Sequence, residues 1–244
     1  MSQANLDIDL PELIQAMLAV CATLRQAADD LQAVATLPPL EPACESLARF
    51  TEQIRHIEPG RPVSDGAGNF SALARTGFAL LEQIRAWADA LEHQDMREAL
   101  DEIIVTWGVW AARHLGPLPL NEPLVESLSQ VANSHQDPAF LAELTHVYRE
   151  IVEAVDPAIR ADPDRSNPAR PWRILNLNYG IVATRSHEPE IMEQAFEQLL
   201  HRLPEDAPGF FQEGMQQMEA IGYPEPVRRV MEKYYRLTNN PTLH

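Results

Sequence analysis

The chain has 244 residues, of which 45% are hydrophobic, so it can bury a core and is not expected to be disordered overall. Its formal net charge of −17 repels phosphate backbones and anionic lipids, so neither nucleic acid nor a membrane surface is an expected partner. No apolar stretch approaches the roughly 20 residues of a membrane helix. No basic segment followed by an apolar run is visible in residues 1–10, so a cytoplasmic location is expected.

Two cysteines, Cys21 and Cys44, are present in the sequence. Two are too few for a disulfide framework in a chain of this size. No Cys-x-x-Cys motif indicates a zinc knuckle or a thioredoxin-type site. Cys21 lies on an apolar helical stripe, so we expect it to be a small core residue.

In the first half of the chain, apolar residues recur at the three- and four-residue spacing of amphipathic helices. The pattern predicts four helices, with apolar stripes over Leu10–Leu31, Leu47–Ile57, Leu73–Leu91 and Leu100–Ala111. The first is expected to stop at Leu37-Pro38-Pro39 and the second near Pro59-Gly60, and Asp95 is expected to cap the fourth. The glycine-bearing segment 59–69 is predicted as a loop. We expect residues 1–94 to form an N-terminal helical bundle.

In the second half, prolines recur where helices are expected to begin. They form three pairs, in which the first helix opens at Pro123, Pro171 and Pro208 and the second at Pro138, Pro189 and Pro224. Pro189 and Pro224 are 35 residues apart, and removing the Pro/Arg-rich loop 156–171 gives the same spacing from Pro138. A period near 34 residues is typical of helical hairpins, so residues 95–244 are predicted to be a helical-hairpin repeat region.

Within this region, Trp172, Leu175 and Tyr179 have the mutual spacing of the first helix of a tetratricopeptide (TPR) hairpin. The resemblance ends there, because the expected small residues are mostly missing and the turn is too long. A HEAT-like hairpin fits about as well, so no family is assigned. The predicted fold is all-α, an N-terminal helical bundle followed by stacked helical hairpins in a TPR/HEAT-like α–α array, with one continuous domain as the alternative.

One stretch of this region carries two periodicities. Leu175, Leu177, Tyr179 and Ile181 alternate with polar or small residues, which is typical of a strand. A helix is equally consistent with the spacing, and the repeat favours a helix over residues 172–182.

Two tryptophans, Trp107 and Trp110, are three residues apart and share one face of a predicted helix. Core packing is the first interpretation, because a buried indole contributes a large apolar area. The second interpretation is a pair of rings that stacks on a ligand.

A single Glu-x-x-His motif links Glu143 and His146. Carboxylate-bridged di-iron bundles need two such motifs and two further glutamates. Surface ion pairing is therefore favoured over metal binding at these residues, and no cofactor is predicted.

Two basic patches lie in this acidic chain, one made of Arg160, Arg165, Arg170 and Arg173 and the other of Arg228, Arg229, Lys233 and Arg236. Arg173, Arg228 and Arg229 are candidates for binding an acidic peptide or a carboxylate ligand, with ion pairs to neighbouring acids as the alternative. Asn176 and Asn178 could hydrogen-bond a partner's backbone from a concave face, or could cap helices and satisfy core groups instead.

The fold predicts an interaction module, adaptor or scaffold that binds a peptide, a partner subunit or a second copy of itself on the helical-repeat surface. The alternative is a compact helical domain with an internal pocket for a small ligand or metal, formed by Trp107, Trp110, Glu143 and His146. A third possibility is an enzyme whose scattered site the sequence does not display. No catalytic residue is predicted, and a role other than catalysis is favoured.

Overall fold

The computed structural model describes residues 9–29, 37–57 and 68–239, and within these ranges the chain forms helices and no strand. The described helices are α1 Leu10–Asp29, α2 Leu40–Arg55, α3 Gly68–Ala90, α4 Gln94–His114, α5 Glu122–Ser134, α6 Pro138–Ala154, α7 Pro157–Arg160, α8 Pro171–Arg185, α9 Pro189–Arg202, α10 Ala207–Ile221 and α11 Glu225–Asn239. The all-α prediction is confirmed. No helix in those ranges is both long and apolar enough to cross a bilayer.

The recurring prolines occupy helix starts, as predicted. They are the first residue of α6, α8 and α9, the second residue of α5 and α10, and the residue before α11. At these positions proline lacks an N–H that the helix does not need, and its φ angle is already helical. Side-chain oxygens of Asn121 and Asp137 cap α5 and α6, accepting hydrogen bonds from the N–H groups of Leu124 and Ala139 at 3.1 and 3.2 Å.

Residues 172–182 belong to α8, so the strand interpretation of this stretch is wrong. The alternating pattern arises because apolar residues lie on two different sides of the same helix. Leu175 and Tyr179 are buried, whereas Leu177 and Ile181 are half-buried or exposed.

One predicted boundary was wrong, because helix α3 begins at Gly68, inside the predicted 59–69 loop. Helix α2 begins at Leu40, before the predicted apolar stripe that starts at Leu47, and Pro42 lies in its first turn, where its missing N–H costs nothing. The rest of that loop, and residues 30–36, over which the first helix was predicted to continue, lie outside the described residues.

The N-terminal helices pack around the aromatic side chains of α4. Helix α1 packs against α2 and α4, and α3 packs against both α2 and α4. The indole of Trp107 contacts Phe50 of α2 and Phe78 of α3 edge-on, with ring centroids 5.4 and 6.4 Å apart. Helix α4 also packs against α5 and α6, so the predicted boundary at residue 94 falls between helices that touch, and the two-part division stays a prediction.

The C-terminal helices follow one another in contact. Helix α8 packs against α5, α6 and α9, and α11 packs against α9 and α10. Between α6 and α8, the predicted loop contains the single turn α7 and is fastened by Arg170, whose guanidinium bonds both oxygens of Asp162 at 2.6 and 2.9 Å. This layered arrangement puts α8 at the centre of the C-terminal region.

Candidate functional site

Helix α8 presents two opposite faces. Trp172, Asn176 and Tyr179 are spaced by four and three residues, so they share the face that lies toward α6 and α9, and all three are buried. Ile174, Leu177 and Ile181 repeat with a similar spacing on the other face and remain partly exposed. Each face is a candidate surface, and each is described in turn.

The exposed face of α8 is the floor of a groove, which we call the α5–α8 groove. A shallow cavity of about 250 Å³ opens between the two helices. It is lined by Glu122, Val125, Glu126, Ser129, Ala169, Pro171 and Ile174. Further along the same face of α8, Ile181 is 46% exposed, which makes it one of the most exposed large apolar residues described.

Hydrogen bonds hold the two helices of this groove in register. The side-chain amide of Asn178 in α8 donates to the hydroxyl of Ser129 in α5 at 2.6 Å. At the C-terminal end of α8, the guanidinium of Arg185 donates to the carbonyl of His135 at 2.7 Å. These contacts fix the spacing of α5 and α8, so the groove between them is preformed.

Helix α10 approaches the exposed face of α8 from the other side. The ring of Phe210 lies directly over Gly180, where a Cβ atom would be only 2.7 Å from the Cζ of the phenylalanine. A larger residue at position 180 would therefore force the ring of Phe210 to shift. The apolar floor of α8 is thus flanked by α5 and by the start of α10.

Carboxylates line the α5 side of the groove. Glu122 is exposed, and Glu126 accepts two hydrogen bonds from Arg85 of α3 at 3.1 and 3.0 Å. Behind this pair, Arg85 also lies 3.5 Å from Asp101, which accepts a hydrogen bond from Ser127 at 2.7 Å. Burial raises the pKa of Asp101, and the Ser127 hydrogen bond and the Arg85 charge only partly offset that rise. The rim of the groove is acidic.

The buried face of α8 meets an arginine of α9. The guanidinium of Arg202 lies over the ring of Trp172, 5.9 Å from its centroid, and donates to the side-chain oxygen of Asn176 at 3.3 Å. The amide of Asn176 donates in turn to the carbonyl of Trp172 at 2.8 Å. Burial lowers the pKa of Arg202, and the charge of Arg160 lowers it further, against opposing effects of Tyr179 and Glu153.

A third arginine, Arg149, also lies near Tyr179. Arg149 of α6 donates to Gln194 of α9 at 3.4 Å and to the Nδ1 of His146 at 3.2 Å. Burial raises the pKa of Tyr179, and the charges of Arg149 and Arg202 oppose that rise, so both cations lie near the phenol. We call the region around Arg149, Arg160 and Arg202 the α6–α9 arginine cleft.

The predicted tryptophan pair lies in the N-terminal core. Trp107 is fully buried and stacks on Trp110, with ring centroids 5.3 Å apart. The indole N–H of Trp107 donates to the carbonyl of Ala74 at 3.3 Å. At Gly77, an added Cβ would lie 2.5 Å from the Trp107 ring, so the ring is closely packed. These contacts match the core-packing interpretation.

The predicted polar candidates have partners inside the chain. Arg173 pairs with Asp206 at 2.6 Å, and the amides of Asn176 and Asn178 make the hydrogen bonds described above. On α11, Arg229 pairs with Glu225 at 3.0 Å, while Arg228 is exposed to solvent. Ion pairing and internal hydrogen bonding, given as alternatives for these residues, are what the structure shows for all but Arg228.

The predicted metal pair is on the surface of α6. Glu143 and His146 are both exposed, and the imidazole of His146 accepts a hydrogen bond from Arg149. Throughout the described residues, no group of three or more histidine, cysteine, aspartate or glutamate side chains is arranged to hold a metal ion.

Sequence analysis did not select Arg149, Arg202 or Tyr179 as site residues. The spacing of Trp172, Asn176 and Tyr179 could have placed these three residues on one face of a helix, but it was not used. The approach of Arg202 to that face was not visible, because it depends on how α9 packs against α8.

No protein-family model, curated protein or solved structure matches the chain. Function is therefore argued from the shape and chemistry of the two faces of α8. One face offers partly exposed apolar side chains, and the other offers guanidinium groups close to a buried indole.

Proposed function

We propose that the chain is an interaction module, an adaptor or scaffold, that binds an amphipathic helical segment of a partner protein in the α5–α8 groove. The observation that carries the proposal is the partly exposed apolar face of α8, made by Ile174, Leu177 and Ile181, of which Ile174 lines the cavity. A partner helix with apolar residues at the same three- and four-residue spacing would cover that floor, as amphipathic helices do in other hydrophobic grooves.

The rim of the groove defines the charge of the partner. Glu122 and Glu126 line the cavity, and the whole chain carries a formal net charge of −17. Lysine or arginine residues beside the apolar face of the partner would face these carboxylates and would increase the rate of association. The proposed partner segment is therefore both amphipathic and basic.

The dimensions of the groove favour a side-chain anchor over an enclosed small ligand. A cavity of about 250 Å³ is smaller than the usual small-molecule pocket of roughly 300–1,000 Å³. It is large enough to take one or two apolar side chains of a helix. The alternative of an internal pocket at Trp107 and Trp110 has less support, because both rings are closely packed in the core.

The array that carries this groove is proposed to be TPR/HEAT-like. The contacts of α8 with α5, α6 and α9 support successive stacking of hairpins. A cytoplasmic location and a second copy of the chain as partner also remain predictions.

The test uses a designed peptide as the probe. A fluorescein-labelled helical peptide of about 18 residues, with leucines on one face and lysines elsewhere, is titrated with the protein and followed by fluorescence anisotropy. A peptide of identical composition but scrambled order is the control. The proposal predicts saturable binding of the amphipathic peptide and at least tenfold weaker binding of the scrambled one, and equal binding of the two would overturn it.

Matched isoleucine variants then locate the binding surface. Ile181→Gln removes an apolar group from the groove floor, whereas Ile221→Gln removes an isoleucine that is 63% exposed at the end of α10. The expected result is about a tenfold loss of affinity for Ile181→Gln, roughly 1.4 kcal/mol, and no change for Ile221→Gln. Equal effects of the two substitutions would place binding elsewhere.

A further inference from the structure

The α6–α9 arginine cleft differs from the other basic parts of the surface in how its charges are paired. Most other described arginines meet carboxylates closely, as Arg25 meets both oxygens of Glu41 at 2.7 and 2.8 Å, whereas Arg75, Arg185 and Arg228 are separate exceptions. Within the residues that the structure describes, Arg149, Arg160 and Arg202 have no carboxylate within 4.0 Å. In a chain with far more acids than bases, three such cations near one another require an explanation.

Arg202 is the most informative of the three because it is half-buried. A guanidinium has five N–H donors, and one of them is used on the side-chain oxygen of Asn176. Its remaining favourable contact is with the face of Trp172, which compensates only part of the hydration lost on burial. A charge removed from water in this way normally has a counter-ion.

The same place holds a second group that lacks a partner. The Nε1 of Trp172 is buried, the residue is only 3% exposed, and no acceptor in the described chain reaches this N–H. A buried donor without an acceptor costs free energy, and native proteins rarely leave one so. Two unmet donor groups, a guanidinium and an indole, therefore occur side by side.

The carboxylate that influences Arg202 does not satisfy these donors. Glu153 of α6 is close enough to influence the pKa values of Tyr179 and Arg202, yet it is exposed and forms no ion pair with either Arg202 or Arg160. Two guanidinium charges therefore outnumber one solvated carboxylate at this end of the cleft.

We infer that the α6–α9 arginine cleft is an anion-binding site for a phosphate group, held between Arg160 and Arg202 beside Trp172. A tetrahedral dianion accepts several hydrogen bonds at once, and guanidinium groups match it with paired N–H donors. Arg149, which also lies near Tyr179, adds positive potential along the cleft. The site is on the opposite face of α8 from the α5–α8 groove, so it goes beyond the proposed function and stands independently of it.

The first experiment measures binding of inorganic phosphate to the whole chain. Sodium phosphate is titrated at constant ionic strength against sodium chloride, and tryptophan fluorescence and the melting temperature are followed. We expect saturable binding with a quenching signal that is lost in Trp172→Phe. The absence of saturation up to about 20 mM phosphate would overturn the inference.

Three charge variants test which residues hold the anion. Arg160→Gln and Arg202→Gln are each expected to weaken phosphate binding at least fivefold, and Glu153→Gln is expected to tighten it twofold or more. The matched control is Arg75→Gln, which makes the same change of charge at an exposed position on α3. Equal weakening by Arg75→Gln would mean that general electrostatics explains the binding, and no tightening by Glu153→Gln would mean that the anion binds away from Glu153.

Arg160→Gln also separates loss of binding from misfolding. Arg160 is exposed, so its loss is expected to leave the packing around Trp172 intact. A further titration compares inorganic phosphate with a short peptide that carries one phosphoserine. If the peptide binds more tightly, the natural ligand is a phosphorylated protein. If the free ion binds equally or more tightly, the natural ligand is a small phosphate-bearing molecule. Both results support the site, and failure of both probes to bind would contradict it.

Discussion

Trp107 in α4 and Trp172 in α8 are both buried indoles, and they differ in what their polar atoms meet. The N–H of Trp107 donates to the carbonyl of Ala74, and its ring is enclosed by aromatic neighbours. The N–H of Trp172 has no acceptor in the described chain, and a guanidinium without a carboxylate covers its ring. The comparison teaches that a buried indole whose N–H has an acceptor within the chain has a structural role. A buried indole whose N–H lacks one, as in the proposed phosphate site, marks a candidate binding site.

The largest expected effect concerns Trp107 in the N-terminal core. Trp107→Ala would leave a large cavity at the centre of α1–α4, and we expect a loss of roughly 3–5 kcal/mol in the free energy of unfolding. Chemical denaturation followed by circular dichroism measures this loss. A loss below about 1 kcal/mol would show that the ring is not central to the core, and the contrast with Trp172 would fail.

The next effect concerns the salt bridge that fastens the loop before α8. Arg170 and Asp162 are both buried, and removing one partner leaves the other charge unpaired. Arg170→Gln is therefore expected to cost about 3 kcal/mol in unfolding free energy and to expose the loop to proteolysis. Arg173→Gln is the control, because Arg173 is more exposed and we expect a loss of about 1 kcal/mol or less. Equal losses would contradict the assignment of the clamp to Arg170.

A smaller effect compares two glycines in helices. Gly77→Ala would push a methyl group to 2.5 Å from the Trp107 ring, whereas a Cβ at Gly209 in α10 meets nothing within 4 Å. We expect Gly77→Ala to destabilise the protein by about 1–3 kcal/mol and Gly209→Ala to be neutral or stabilising by up to about 1 kcal/mol. Thermal unfolding of the two variants measures the difference, and equal melting temperatures would contradict the close packing at Trp107.

The smallest expected effect is the pH dependence of Asp101. Burial raises its pKa in the folded state, so the folded protein holds this proton more tightly than the unfolded chain does. The contribution of Asp101 to stability is therefore present below the ordinary aspartate pKa and decreases as the pH rises through the folded pKa. The measurement is the unfolding free energy of the wild type minus that of Asp101→Asn, taken across pH 3.5–7. We expect this difference to decrease as the pH increases. A difference that is constant with pH, or that grows in favour of the wild type, would be inconsistent with this shift.

The sequence predicted those features of the fold that depend on residues close to one another along the chain. Prolines at helix starts and apolar spacing are local signals, so the helices from Pro138 onward were placed correctly. The ambiguity at Leu177 and Ile181 arose because α8 carries apolar residues on two faces, and only its packing shows that one face is buried.

The candidate sites depend on contacts between distant residues, and these were not predictable from spacing. Arg173 and Arg228 look alike in the sequence, yet the fold brings Asp206 to Arg173 alone. The same is true of Arg202, which meets Trp172 only because α9 folds back against α8. Asn176 is buried and makes internal hydrogen bonds, which was the alternative given for it, and its contact with Arg202 was not foreseen.

The central claim is that binding occurs at α8 and not at the tryptophan pair of α4. Resonances of the four indole N–H groups in a ¹⁵N-labelled sample, those of Trp87, Trp107, Trp110 and Trp172, report on both regions during one pair of titrations. The account predicts that phosphate shifts the indole signal of Trp172 and that the amphipathic peptide shifts the backbone amides of Ile174, Leu177 and Ile181. Shifts confined to the indoles of Trp107 and Trp110 would contradict it.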